Sequence, residues 1–184
     1  MLTSLQKVKF YLDIDMNDSQ HDFLLTELIK QASDAVELYC NRKFRKDIYT
    51  ESVRGVENLW VKNTPIHDVL YLVDTNDNDV NFKFTDKRVL IKKQAIVSIT
   101  GGIRYREPAR GEYIIKYVGG YETIPAAVQQ IVTEMVLISF KEIQDDTMLV
   151  KSRNEGSVSQ TFIDKAIIQD KHKSILDYYK VINI

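Results

Sequence analysis

Apolar residues recur at helical spacing in three stretches of the chain, which predicts helices over residues 3–12, 20–41 and 125–143. Thr3 is expected to cap the first of them. In the second stretch the apolar side chains share one face: Leu25, Leu28, Ile29, Ala32, Val36, Tyr39 and Cys40. The third stretch is apolar around most of its circumference, so other elements or another subunit must cover it. From the two longer helices we predict five buried residues: Leu28, Ile29, Val36, Val132 and Met135.

Between the second and third helices, over residues 47–117, the apolar period changes to two. This alternation predicts a small antiparallel β region with short strands at Ile48–Val53, Leu59–Val61, Val69–Asp74, Val80–Phe84, Val89–Ile91, Ile96–Thr100 and Glu112–Tyr117. Before the last strand we predict a long turn that carries Arg104, Arg106 and Arg110 and directs them into solvent or into a partner.

The last part of the chain, residues 144–184, is predicted to be a loop and a C-terminal arm. The polar stretch Gln144–Gly156 predicts a loop that is mobile before assembly, and the alternation in Gly156–Ile163 predicts one edge strand. Ser174–Lys180 predicts a short last helix, and apolar Val181–Ile184 follows it. An apolar segment after such a loop indicates docking, either onto the chain's own core or onto a neighbour.

Together these elements predict an α+β fold in a single domain, residues 1–184. We expect a helical core, made of two long helices and short terminal helices, with the small antiparallel β region inserted into it. A length of 184 residues and a hydrophobic content of 44% are sufficient for one sizeable core.

Charge and composition disfavour several functional classes. With 25 Lys and Arg against 26 Asp and Glu, the net charge is −1, which argues against a dedicated nucleic-acid-binding protein. Basic residues do cluster in 42–46. We interpret them as a solvated surface beyond a helix end, and contact with phosphate or an acidic partner is the alternative. No apolar run reaches membrane-spanning length. Cys40 is the single cysteine, which indicates a reducing compartment and a buried small hydrophobe rather than a nucleophile.

Candidate chemistry is sparse. The acidic runs Asp13–Asp18 and Asp74–Asp79 resemble the start of calcium-binding loops, but both lack the glycine and the closing acid that such a loop needs. We interpret the first as a solvated linker and the second as a hairpin tip. The three histidines have no metal-ligand spacing, and no phosphate loop or nucleophile elbow is present. We therefore expect no catalytic residue, no cofactor and no metal, and an enzyme is the least favoured hypothesis.

Four segments together resemble one known family. They are Leu2–Leu12; the helix from Asp22 that ends in Tyr39-Cys-Asn-Arg-Lys-Phe44; Tyr117-Val-Gly-Gly-Tyr121 with the following Ile-Pro and apolar helix; and Gly156-Ser-Val-Ser-Gln-Thr161 with a short helix near the end. In this order and spacing the chain resembles the head–tail connector (adaptor, head-completion) proteins of tailed bacteriophages and prophages. The likeness spans most of the chain, and the β region is its least diagnostic part.

The resemblance implies a structural role without enzymatic activity or cofactor. Members assemble as a ring, usually of twelve subunits, below the portal vertex, where the ring extends the DNA channel and joins the head to the stopper or tail. The implied partners are other copies of the chain, the portal protein and a stopper or tail-completion protein. DNA passes through without sequence-specific binding, and no membrane is involved. The implied locations are the virion neck and, during assembly, the bacterial host cytoplasm.

The resemblance also assigns the C-terminal segment to the portal. On this basis, and with two arginines added from the predicted long turn, the expected partner-binding residues are Tyr178, Tyr179, Val181, Ile184, Arg104 and Arg106. Two alternatives stay open. One is a tail-completion or neck protein of the same virion region, and the other is a nucleic-acid-binding regulator that uses residues 42–46.

Overall fold

A computed structural model gives the structure of residues 1–97, 103–106, 110–144 and 168–181. The chain divides into two compact units: a helical unit from residues 1–42 and 124–184, and a β unit from residues 43–123. The helices in these ranges are α1 (Leu5–Leu12), α2 (Asp22–Cys40), α3 (Ala126–Gln144) and α4 (Asp170–Leu176), and a 3-10 turn (Asp177–Tyr179) follows α4. The strands are β1 (Asp47–Gly55), β2 (Asn58–Trp60), β3 (Ile66–Asp74), β4 (Phe82–Phe84), β5 (Arg88–Ile91), β6 (Gln94–Val97), β7 (Ile103–Arg106) and β8 (Gly111–Gly119).

The core of the helical unit forms where α2 packs against α3, with α1 in contact with both. The five predicted core residues are confirmed as buried: Leu28, Ile29, Val36, Val132 and Met135. α3 buries more than one stripe, as its wide apolar surface predicts, and its other buried residues are Val128, Ile131, Thr133, Val136 and Phe140. The start of the chain is tied to α2, because the Leu2 N–H donates to the Ser33 hydroxyl at 2.9 Å.

The predicted cap of the first helix is wrong by one residue. α1 begins after Ser4, whose hydroxyl accepts a hydrogen bond from the Lys7 N–H at 3.2 Å. Thr3 is buried, and its hydroxyl lies 2.9 Å from the hydroxyl of Thr133 on α3. The local pattern assigns the Thr3 hydroxyl to the helix cap, but this hydroxyl instead contacts Thr133, a residue far along the chain.

The β unit contains antiparallel sheets with the strand orders β1-β8-β3, β2-β5-β4 and β6-β7. β8 is the central strand of the first sheet, and its register with β1 runs from Asp47 opposite Gly119 to Gly55 opposite Gly111. One face of the strands packs into an apolar core, since alternate side chains of a strand point to the same face. This core consists of Val53, Leu59, Val61, Ile66, Val69, Leu72, Val89, Tyr113, Ile115 and Tyr117.

The predicted fold class, a helical core of two long helices with a small inserted β region, is wrong. The described helices are short, with 8, 19, 19 and 7 residues. The β region forms a compact unit with a core of its own. Its main strands β1, β3 and β8 have nine residues each. They are longer than predicted because the pairing of β1 and β3 with β8 continues into residues at their ends that the alternation did not include, such as Ile66 and Gly119.

The long turn predicted for Arg104 and Arg106 is also wrong. Both residues lie on β7, where Arg104 is opposite Ile96 and Arg106 is opposite Gln94 of β6. The residues Ile-Arg-Tyr-Arg alternate as a strand requires, but the turn signals on both sides led to the prediction of a turn.

The second acidic run forms a hairpin tip, as predicted, and the first forms the linker between α1 and α2. At the hairpin tip, the Asp74 carboxylate accepts hydrogen bonds from the backbone N–H groups of Asn76 at 2.8 Å and Asn78 at 3.0 Å. The side-chain and backbone hydrogen bonds from Asn78 are the main reason that the pKa of Asp74 is lowered. In the linker, the Asp15 carboxylate accepts a hydrogen bond from the Asn17 N–H at 2.7 Å. No group of His, Cys, Asp and Glu in the described ranges is arranged to hold a metal ion.

Two predictions for the C-terminal part fall on residues 145–167 and lie outside the described residues: the loop that continues to Gly156, and the edge strand Gly156–Ile163. The predicted last helix is present but begins earlier, at Asp170 rather than Ser174. Among the helices given above, none combines the length and the apolar character that crossing a membrane requires.

Two adjacent glycines end β8. A Cβ atom on Gly119 would lie 2.2 Å from the carbonyl oxygen of Asn63, and one on Gly120 would lie 2.2 Å from the carbonyl oxygen of Arg45. Gly120 also has a φ of +93°, in the left-handed region that favours glycine. Close backbone contact therefore requires a glycine at both positions of the Tyr-Val-Gly-Gly-Tyr motif, and the backbone conformation is a second reason at Gly120.

We expect Gly120→Ala to lower the free energy of unfolding of the β unit by at least about 2 kcal/mol. A left-handed backbone costs an alanine about 1–2 kcal/mol, and the new methyl group would overlap the Arg45 backbone. Urea unfolding followed by fluorescence of Trp60, the single tryptophan, measures the change. Gly111→Ala is the matched control, because a Cβ there meets its nearest atoms at an ordinary 3.5 Å. Equal urea midpoints for the two variants would contradict this explanation.

Candidate assembly surface

The structure brings three of the predicted partner-binding residues together. Tyr178 and Tyr179 lie on the 3-10 turn with their rings 5.2 Å apart at 87°, and Val181 follows two residues later. Ile184 lies outside the described residues. Arg104 and Arg106 belong to the other unit, where they lie on β7. The candidate site is therefore the segment Asp170–Val181, which we name the C-terminal arm.

Polar contacts hold the first turn of the C-terminal arm to α3. The Glu134 carboxylate accepts hydrogen bonds from Lys171 Nζ at 2.9 Å and from His172 Nε2 at 3.1 Å. A third bond comes from the side-chain amide of Gln130 at 3.2 Å. The hydrogen bond from Lys171, followed by that from His172, is the main cause that lowers the pKa of Glu134 to about 2. His172 itself is only 2% exposed, so this end of the arm is packed into the helical unit and is not merely in contact with its surface.

The apolar anchor of the arm is Leu176, whose side chain is completely buried. The Sγ atom of Cys40 on α2 lies 3.7 Å from the Leu176 carbonyl oxygen, at the distance of a weak S–H···O hydrogen bond. Cys40 is also fully buried, and this burial raises the pKa of its thiol to about 11. The interpretation of Cys40 as a buried small hydrophobe agrees with this position.

The end of the arm closes the C-terminus of α2. The Val181 N–H donates to the Cys40 carbonyl at 2.9 Å, which satisfies one of the carbonyl groups that a helix end leaves without a partner. The Tyr39 hydroxyl donates to the Asp177 carboxylate at 2.7 Å, and this bond is the largest cause that raises the pKa of Tyr39 to about 12. Lys180 Nζ lies 4.5 Å from the centre of the Tyr39 ring, in cation–π geometry.

Large apolar side chains remain exposed around this contact. Tyr178 is 86% exposed, and Ile175, on α4, is 43% exposed. Leu38, next to Tyr39 on α2, is 83% exposed. Sequence reasoning missed Leu38 and Ile175. The available signal was that Leu38 is an apolar residue on the charged face of its helix. A contiguous exposed apolar patch marks a protein-binding surface, whereas a single exposed apolar residue is normal.

Two of the basic residues in 42–46 are buried or ion-paired within their own units. Arg42 is only 8% exposed. Lys46 Nζ lies 2.6 Å from the Glu122 carboxylate, and this contact lowers the pKa of Glu122. The arrangement does not favour the alternative of a nucleic-acid interface, which needs its cations directed at phosphate.

Residues 1–182 match the family "Head completion protein", and the chain belongs to this family. The membership confirms the predicted class, a structural head-completion protein of a phage-like particle. A comparison with curated protein sequences finds no match.

Solved structures with a similar fold come from the neck of a gene transfer agent (GTA) particle. One is the neck of the empty GTA particle computed with C6 symmetry, with a TM-score of 0.58 and 11% sequence identity. Another is the neck of the native GTA particle computed with C12 symmetry, with a TM-score of 0.56 and 12% identity. A third is the virion of the native GTA particle, with a TM-score of 0.57 and 11% identity. Each match covers 100% of this chain and 91% of the other chain, so the likeness of fold extends over the full length.

We expect Leu176→Ala to weaken docking of the C-terminal arm by about 2–4 kcal/mol, the usual cost of removing a buried leucine side chain. The reaction of Cys40 with a thiol reagent should then become faster, because the arm covers this cysteine and the chain has no other. Ile175→Ala is the matched control, since Ile175 is 43% exposed and should leave the labelling rate unchanged. Equal labelling rates for both variants would show that the arm does not shield Cys40.

Proposed function

We propose that this protein forms a ring of twelve subunits in the virion neck, below the portal, after assembly in the cytoplasm of the bacterial host. The ring extends the DNA channel and joins the head to a stopper or tail-completion protein. The observation that carries the proposal is the family match over residues 1–182. The fold likeness to a neck with C12 symmetry supports the subunit number.

A closed ring of identical subunits needs two different contact surfaces on each subunit. The helical unit offers exposed apolar residues at both ends of α2, which are roughly 22 Å apart at 1.5 Å per residue. Phe23 is 82% exposed near the start of the helix, and Leu38 is 83% exposed near its end. Phe10, 72% exposed, lies at the first end too, because the Lys9–Asp22 ion pair joins α1 to the start of α2.

The charge balance suits the wall of a channel. A net charge of −1 provides no large excess of cations that would hold the DNA phosphates, so DNA slides past rather than binding. The proposal needs no cofactor and no catalytic residue. It assigns the portal contact to the C-terminal arm, with Tyr178 as its most exposed side chain.

Light scattering after size-exclusion chromatography tests the ring directly, for the protein alone and for the protein mixed with the matching portal protein. We expect a particle of twelve chains of 21.4 kDa, or the same ring bound to the portal, with a central hole in negative-stain images. A protein that stays monomeric at high concentration and also ignores the portal would overturn the proposal.

We expect Tyr178→Ala to weaken portal binding by at least about fivefold, the effect of removing an aromatic interface residue worth at least about 1 kcal/mol. Its thermal stability should stay unchanged, because this side chain is 86% exposed. Tyr11→Ala provides the matched control, since it removes a half-exposed tyrosine from α1. Surface plasmon resonance on immobilised portal gives both affinities, and equal affinities would remove Tyr178 from the portal contact.

A further inference from the structure

We propose that in the assembled ring the C-terminal arm of each subunit docks on the next copy of the chain rather than on its own. The acceptor surface, named here the arm groove, is formed by Tyr39, Cys40 and Asn41 at the end of α2 and by Glu134 on α3. The inference rests on the proposed ring and identifies one of its subunit contacts.

The arm and the arm groove are two different surfaces with matching shape and charge. Leu176 and His172 of the arm are both buried when it is docked. The negative Glu134 meets Lys171 and His172, and the carbonyl of Cys40 meets a backbone N–H of the arm. A head-to-tail ring contact requires a pair of unlike surfaces of this kind.

The hydrogen bonds of the docking contact given above join arm residues 171–181 to α2, to Asn41 directly after it, or to α3. Residues 145–167 connect α3 to the arm, and 23 residues span at most about 80 Å when extended. This length allows the arm to reach a neighbouring subunit, where the same pairs of residues would meet between two chains.

Concentration decides which groove an arm occupies. In a dilute monomer its own groove has the higher effective concentration, so the arm docks within its own chain. In a ring, the neighbour's groove is held close by, so its effective concentration is comparable to that of the arm's own groove. Exchange then adds a link between subunits. Tyr178, 86% exposed in the docked arm, faces outward in either arrangement and stays accessible to the portal.

The single native cysteine makes the exchange measurable. The direct hydrogen bond between the Val181 N–H and the Cys40 carbonyl brings the two backbones within the range of a disulfide. We would introduce Val181→Cys, assemble the full chain with the portal, oxidise it mildly and separate the chains on a non-reducing gel. Lys173→Cys, on the exposed side of α4, is the matched control for cysteine position. The double variant Cys40→Ser, Val181→Cys controls for links between two arms, which stop at dimers.

A ladder of covalently linked chains from the Val181→Cys ring, absent from both controls, is the expected result. A ring whose chains run only as oxidised monomers, each closed by its own disulfide, would overturn the exchange while leaving the ring function intact. Absence of any ring by light scattering would overturn the proposed function, and the exchange with it. The two failures are therefore distinguished by one pair of measurements.

Discussion

Burial of α3 is the constraint on which the helical unit depends. This helix is apolar over so much of its surface that no single partner can cover it, and α1, α2 and α4 all pack against it. Those of its polar side chains that lie in these contacts need partners as well, since a buried polar group without a hydrogen bond is costly. Thr133 finds one in Thr3, and Glu134 finds one in His172. Segments from both ends of the sequence are thus drawn to one helix.

The parts of this fold that follow a local period could be predicted from the sequence. The buried faces of α2 and α3 repeat every 3.6 residues, so Ile29 and Val132 are identifiable without any structure. The alternation predicted most of the described strands for the same reason, but β7 was predicted as a turn. The assembly of the strands into a unit with its own core was not predicted. Strand pairing depends on contacts such as Asp47 with Gly119, which no local pattern contains.

The candidate site was predictable only in outline. Apolar residues near the C-terminus indicate docking, but the sequence does not show where the segment docks. The answer lies in contacts across more than a hundred residues, between Tyr39 and Asp177 and between Cys40 and Val181. Leu38 was missed because it lies on a charged helix face, which is expected to be exposed to solvent. Its exposure becomes evident only when the position of the helix in the fold is known. The cap assigned to Thr3 failed similarly, since Thr133 competes for its hydroxyl.

The division of the chain has a consequence for its biosynthesis. The β unit is one continuous segment, residues 43–123, and its strands emerge from the ribosome before α3 emerges. Proteins fold from the N-terminus as they are synthesised, so this unit can be finished early. α1 and α2 are made before the β unit, yet their apolar faces are covered only when α3 is present, and the carbonyl at the end of α2 is paired only when Val181 is present. α1 and α2 are therefore made before the β unit but completed after it, and a nascent chain stalled after the β unit exposes the apolar face of α2 to chaperones and to neighbouring chains on the polysome.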